Sequence, residues 1–340
     1  MLLHEAIAPI EQIAPAKLQE SFDNSGLILG HPEMEVSGAL ITLDVTEKVI
    51  DEAIDNKLNL IIAHHPLIFK PLSQITGKDE TERAVIKALK SDIAVYASHT
   101  NLDISTEGVN TKLGKILGLK NMRPINDKEK SLLKIEIPLT EASTEKVRSK
   151  LTESGLVFND HLRVLSTGAH NQAKIEAVFP FYLKSALLEK LSQVHPKQNP
   201  FYEISTLDTP HPDHGLGMVG SLSKPHSEEE LLDLVKSTIN CQQIRYSPLK
   251  GRSIEKVAVC GGAGAGFIKA AAAKGAQAFI TSDVKYHQFF EASDHLLLID
   301  AGHYETEYQT MELIENVLHN KMPNFVVQRT RLNTNPVNYY

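Results

Sequence analysis

Leu58-Asn-Leu-Ile-Ile-Ala-His64-His65-Pro66 is the stretch on which the reading of this chain turns. Its apolar run is too short for a helix and rich in branched side chains, so it reads as a strand covered on both faces. The run stops at two imidazoles and a proline, which keeps the residue before it extended. In open α/β sheets, ligands bind at the carboxyl ends of strands. Neighbouring residues of a regular strand face opposite ways, but at a strand end His64 and His65 can splay toward a pair of metal ions. The competing reading is that one histidine caps the sheet and the other faces solvent.

Working outward, residues 2–14 are helix-compatible, 38–43 read as a second buried strand, and 46–56 carry apolar residues at helical spacing. Residues 81–89 are helical, 93–97 form a third strand, and 108–117 form a helix ended by Gly118. Strands separated by helices predict a mainly parallel sheet covered on both faces. The same texture returns late in the chain. Strands are expected at 256–260, 278–281, 296–300 and 324–328, with helices at 267–274 and 306–318. The fold class is therefore α/β, with two similar lobes, or two halves of one layered core.

The middle differs. From 132 to 207 the order strand–helix–strand, strand–helix–strand predicts a ferredoxin-like α+β domain. Polar segments flank it, Asn126-Asp-Lys-Glu-Lys before and Thr209-Pro-His-Pro-Asp-His after. We expect an insertion at 128–210 between an N-terminal lobe, 1–127, and a C-terminal lobe, 211–340.

Composition narrows the class of protein. A formal net charge of −7 provides no global basic field for nucleic acid or anionic lipid. Two cysteines, Cys241 and Cys260, are too few for a disulfide framework or a thiolate zinc site, and read as small buried hydrophobes. No window approaches the roughly 20 apolar residues needed to span a bilayer, and no signal peptide is visible. The expected location is the cytoplasm.

Two more strand ends carry chemistry. Ala97-Ser-His99-Thr-Asn-Leu-Asp103 runs from the strand at 93–97 into a polar cluster. There Asp103 is a hard oxygen ligand of the kind two-metal hydrolases use, or else a helix N-cap. In Leu298-Ile-Asp300-Ala-Gly-His303-Tyr-Glu-Thr-Glu307, a helix starting near His303 puts His303 and Glu307 on one face. Glu305 lies on another face. The competing reading is an acidic first turn offsetting the helix dipole. Together the three clusters supply nitrogen and oxygen donors, which suit zinc, manganese or iron and not copper(I) or iron–sulfur.

Two other features carry less. Cys260-Gly-Gly-Ala-Gly-Ala-Gly266 spells neither a dinucleotide loop nor a P-loop. Tight strand-to-helix packing is preferred there over an anion-holding turn. His211, Asp213 and His214 have metal-like letters but lie in a Pro-rich connection, where solvated residues are expected.

Six stretches match one family in order along the chain. They are Phe22-Asp-Asn-Ser-Gly-Leu, Ala63-His-His-Pro-Leu, Ser98-His-Thr-Asn-Leu-Asp, Gly215-Leu-Gly-Met-Val-Gly, Thr281-Ser-Asp-Val-Lys-Tyr-His and Gly302-His-Tyr-Glu-Thr-Glu. The chain resembles the Nif-three-like proteins, also catalogued as GTP cyclohydrolase I type 2 homologues. The resemblance implies His64, His65, Asp103, His303 and Glu307 as ligands of two divalent metal ions, zinc before manganese or iron, with Glu307 bridging them. It also implies a homohexameric toroid with the sites facing an internal cavity.

By the same resemblance the middle segment looks like a PII- or CutA-like insert, with His195-Pro-Lys-Gln-Asn-Pro-Phe-Tyr-Glu as its motif. Gln198-Asn199 stand there where acidic residues are usual, and Ser282 replaces the glycine of a T-G-D motif. The expected function is a metal-dependent hydrolase of a small molecule, with His99 and His287 shuttling protons or binding substrate and Asp283 positioning one of them. One alternative is a metal-loaded regulatory protein acting through protein partners or a small-molecule-sensing insert. Another is a toroid encircling nucleic acid, against which the net charge weighs.

Overall fold

The computed structural model describes residues 1–166, 171–195 and 201–340, so Gln198 and Asn199 lie outside the described residues. In chain order, the first part of the protein supplies β1 (Gly26–Leu29), β2 (Ala39–Thr42), β3 (Leu60–Ala63), β4 (Ala94–Ala97) and β5 (Lys120–Asp127). The middle supplies β6 (Leu132–Thr140), β7 (Arg163–Ser166), β8 (Gln172–Pro180) and β9 (Glu203–Thr206). The last part supplies β10 (Gly215–Ser227), β11 (Arg245–Tyr246), β12 (Ser253–Val259), β13 (Ala278–Thr281), β14 (Leu297–Asp300) and β15 (Val327–Arg329). Two units result, one of residues 1–126 with 215–340 and one of residues 127–214.

The larger unit is built on two sheets. In the first, ordered β1-β4-β3-β2-β15, β2, β3, β4 and β15 run parallel and β1 antiparallel. Every residue of β2, β3 and β4 is buried, as continuous apolar runs in a sheet covered on both faces require. Side chains alternate: Leu40, Ile61 and Val95 pack with Val49, Ile50, Val85 and Ala88 of helices Glu47–Asp55 and Glu80–Lys90. On the other face, Ile41, Ile62 and Tyr96 pack with Leu3, Ile10, Ile314 and Leu318 of helices Leu3–Ile13 and Gln309–Lys321. Each such buried Leu or Ile contributes roughly 1.5–3 kcal/mol. The cover helices start at good caps, with Thr46 and Asp79 side chains accepting from the N–H groups of Val49 and Glu82.

The second sheet, ordered β11-β14-β13-β12-β10-β5, has a parallel centre of β12, β13 and β14. Helix Glu228–Thr238 covers one face through Leu231 and Val235. Helix Ile268–Ala273 covers the other through Ile268 and Ala271. The two lobes are not separable. β5 from the first part of the chain completes the second sheet, and β15 from the last part completes the first. The two similar lobes, one sheet each, thus form one unit.

The smaller unit is an antiparallel sheet ordered β7-β8-β6-β9, with helices Glu141–Ser154 and Lys184–Val194 following β6 and β8. Val147, Leu151, Leu187 and Leu191 bury the inward residues Ile135, Ile137, Ile175 and Phe179. This is ferredoxin-like topology. The expectation of solvated residues at His211 and His214 fails here. Both are buried and stacked at 3.9 Å between centroids, with Phe158 and Tyr182 rings beside them. Among the described residues, no helix is long and apolar enough to cross a membrane.

Candidate metal centre

The residues that follow the carboxyl ends of β2, β3, β4, β13 and β14 meet at one place in the larger unit. His64 and His65 leave β3, and backbone bonds from their N–H groups to Thr42 and Leu43 carry the strand's pairing two residues further. His99 and the short helix Thr100–Ile104, with Asp103, follow β4. Gly302, at φ +89, turns the chain from β14 into helix His303–Glu307. That helix starts at His303, not at residue 306, so His303 and Glu307 share a face as the spacing demands.

Each histidine is oriented by an acceptor. His64 Nδ1 lies 2.8 Å from the Ser98 carbonyl, which only accepts, so Nδ1 carries the proton and Nε2 keeps its lone pair. His65 Nδ1 donates to Asp44 Oδ1 and His303 Nδ1 to Asp283 Oδ2, both at 2.8 Å. His99 Nδ1 donates to Asp23 at 2.7 Å. Asp283, at φ +54, thus serves His303 and neither of the histidines first considered for it.

The free nitrogens converge on Glu307. Its Oε1 lies 3.6 Å from His64 Nε2, which is itself 3.8 Å from Asp103 Oδ1. Its Oε2 lies 3.0 Å from His65 Nε2 and 3.1 Å from His303 Nε2, and those two nitrogens stand 3.3 Å apart. Two neutral imidazoles held in this way aim lone pairs at each other and at a carboxylate oxygen. That is repulsive unless a cation or proton lies between them. His64 Nε2, Asp103 Oδ1 and Glu307 Oε2 are all buried without a hydrogen-bond partner. Three donor groups, His64–Asp103–Glu307, His65–His303–Glu307 and His64–His65–His99, could each hold a metal ion. The unsatisfied donors fit that role.

The electrostatics tell the same story. Burial and then the charge of Glu307 push the Asp103 carboxyl well above its ordinary value. Burial alone would raise Glu307 too, but the three imidazoles gathered around its carboxylate hold it well below. Burial lowers His64. His65 and His303 also suffer burial, yet their carboxylate partners push them up to about 10 and about 9. The site has more negative charge than it can carry alone, and protons or cations must balance it.

The glycine-rich turn after β12 walls this site. A Cβ on Gly262 would lie 2.2 Å from Glu307 Oε1 and 3.2 Å from His303 Nε2. The N–H groups of Gly261, Gly262 and Gly264 are taken by Asn110, Thr306 and Thr281 side chains, so the turn packs tightly and those donors bind no anion. Asn110 also donates to the Asp103 carbonyl, tying the turn to helix Thr100–Ile104. Ser282 is fully buried, its hydroxyl unpartnered. Both cysteines are buried, and burial beside Asp103 and Glu307 pushes the Cys260 thiol up. His287 belongs to none of the donor groups. It is exposed near the start of helix Tyr286–Ser293.

An open cavity of about 680 Å³ lies on the His65–His303 side, bounded by Phe69, His99, Arg245 and Tyr304 and by Asn335–Val337 and Tyr339. Arg245 is ion-paired with Asp300 at its rim. Sequence reading missed Asp44, Asn110 and the role of Asp23. A carboxylate just past a strand end was the available signal for Asp44, and the quoted Phe22-Asp23 stretch for Asp23.

Residues 1–336 match the Duf34/NIF3 (NGG1p interacting factor 3) family. The chain belongs to that family. Among curated relatives, a Listeria innocua protein called GTP cyclohydrolase 1 type 2 homolog is 33% identical over 94% of this chain and 91% of its own. A Staphylococcus aureus protein of the same name is 30% identical over the whole of both chains. A crystal structure of a Bacillus cereus protein related to NIF3 superposes with a TM-score of 0.85 at 30% identity, over 100% of this chain and 99% of that one. The Duf34/NIF3 fold is thus shown both by sequence and by structure.

Proposed function

We propose that this Duf34/NIF3 protein is a metal-dependent hydrolase built on a dinuclear centre. The observation that carries the reading is Glu307, with one carboxylate oxygen beside His64, which itself neighbours Asp103, and the other beside His65 and His303. His64, Asp103 and Glu307 would hold one ion, and His65, His303 and Glu307 the other. Zinc is the first choice, manganese or iron the next, given nitrogen and oxygen donors. Bound metals would supply Lewis acidity toward a carbonyl or phosphoryl oxygen and lower the pKa of water.

The chain's own residues supply the rest. With Nδ1 donating to Asp23, His99 turns Nε2 to the site, where it would take a proton from attacking water and return it to the leaving group. Asp44 and Asp283 fix the rotation and tautomer of His65 and His303. Phe69 and Pro66 give the cavity an apolar wall that limits water near the reacting bond. The relatives' name makes GTP the first substrate to try. A cytoplasmic homohexamer belongs to the same reading and rests on the family resemblance.

The test is metal content of protein purified without chelator, wild type and Glu307→Ala, with turnover of GTP and simple phosphoesters. The expected result is a pair of metals per chain and hydrolysis in the wild type, with both lost in the variant. Full metal loading without turnover of any ester or ring would leave a binding protein; no metal would remove the reading.

A further inference from the structure

The chain returns to the metal centre after β15, and it does so through hydrogen bonds to the groups that hold the ligands. Thr330 Oγ1 and the Arg331 N–H bond the Glu52 carboxylate at the end of helix Glu47–Asp55, fixing where the segment starts. Thr334 Oγ1 then donates to Asp44 Oδ2 at 2.8 Å, while Asp44 Oδ1 accepts from His65 Nδ1 at 2.8 Å. The next residue, Asn335, donates through Nδ2 to Glu305 Oε1 at 3.1 Å. Glu305 sits two residues past His303 on the helix that carries His303 and Glu307. Asn335–Val337 and Tyr339 go on to line the cavity onto which His65 and His303 open.

We propose that the segment Thr330–Tyr339 is a positioning strap for the His65–His303 half of the metal centre, and that Thr334 is its key residue. This rests on the dinuclear reading above. A carboxylate free to turn about χ2 holds an imidazole in a range of orientations. With one oxygen fixed by Thr334 and the other bonded to His65, Asp44 has a single orientation, and so does the ring. Thr334 touches neither a proposed ligand nor the reacting atoms; it acts through Asp44. The Asn335–Glu305 bond holds the same strap against the helix that brings His303. His64 is outside this arrangement because its orienting acceptor is the Ser98 carbonyl, which the strap does not touch.

Groups one step behind a metal ligand typically change affinity by about 10–100-fold when lost. Thr334 is two steps behind, so the lower end, about tenfold, is expected. The experiment loads apo protein with Co²⁺ and with Zn²⁺, reading the visible spectrum of cobalt and competition with a chelator. Wild type, Thr334→Val and Thr334→Ser are compared, with thermal melts of the apo forms as the control for folding. Thr334→Val keeps the shape and removes the donor. The expected result is about tenfold weaker binding of one ion, the other unchanged, with rescue by Thr334→Ser. Equal binding of both ions by wild type and Thr334→Val overturns the strap, as does equal weakening of both. Failure of the wild type to bind metal would instead remove the dinuclear reading itself.

Discussion

The two halves of the proposed metal centre are built from similar donors but supported in opposite ways. His64 is fully buried and oriented by a main-chain carbonyl, part of the backbone that continues β4. His65 and His303 are partly exposed and oriented by carboxylates, Asp44 and Asp283, which are themselves partly exposed. A carbonyl fixed by a sheet is rigid and neutral. A side-chain carboxylate adds charge, raises the basicity of the ring and can be turned or displaced. The first half is therefore built into the core, and the second is the one that faces the cavity.

The sharpest break in that contrast is removal of one histidine from each half. His64→Ala leaves a buried void and unpaired Asp103, and should cost roughly 1–3 kcal/mol of apo-protein stability in addition to one ion. His303→Ala should cost the other ion with a smaller shift in melting temperature. Equal losses of stability would erase the distinction. Gly262→Ala comes next, because its φ of +62 and a Cβ 2.2 Å from Glu307 Oε1 strain the chain on the His64 side. About 1–2 kcal/mol of destabilisation is expected, with weaker metal retention in a chelator challenge.

The carboxylates give the smallest and most selective effects. Asp44→Asn should weaken one ion by about 10–100-fold in a competition titration and leave the other as it was. Asp283→Asn should do less, because the Asp283 side chain is 55% exposed against 34% for Asp44, and solvent already screens more of the charge that is lost. A larger effect at Asp283 would reverse the ranking drawn from exposure.

Much of this was readable along the chain because it depends on near neighbours. The apolar runs at β2, β3, β4, β13 and β14 are short, branched and continuous, and each was found within a residue or two. What escaped were elements whose reason is elsewhere. β5, with Pro124 within it, and β1 carry no strong alternation, and both are ordered by the strands they pair with. β10, thirteen residues with glycines inside it, was read only as a matching stretch. Helix Glu228–Thr238 did carry a local signal, the capping box of Ser227 and Glu230, which went unread. The polar letters at His211 and His214 misled because a Pro-rich context predicts solvent, whereas stacking on each other buried them.

The chain's own pattern sets which strands end in imidazole and carboxylate, since period and punctuation are local properties. It also determined that His303 and Glu307 share a helix face. The packed fold sets the exchange of β5 and β15 between the lobes, because strand partners are chosen by long-range burial. It alone decided that Glu307 divides its oxygens between His64 and the His65–His303 pair, and that Asp44, Asp283 and Thr334 stand behind that pair. Ring nitrogens that stand 3.3 Å apart are a property of angles and distances between residues 238 positions apart. No reading of neighbours in a chain contains that.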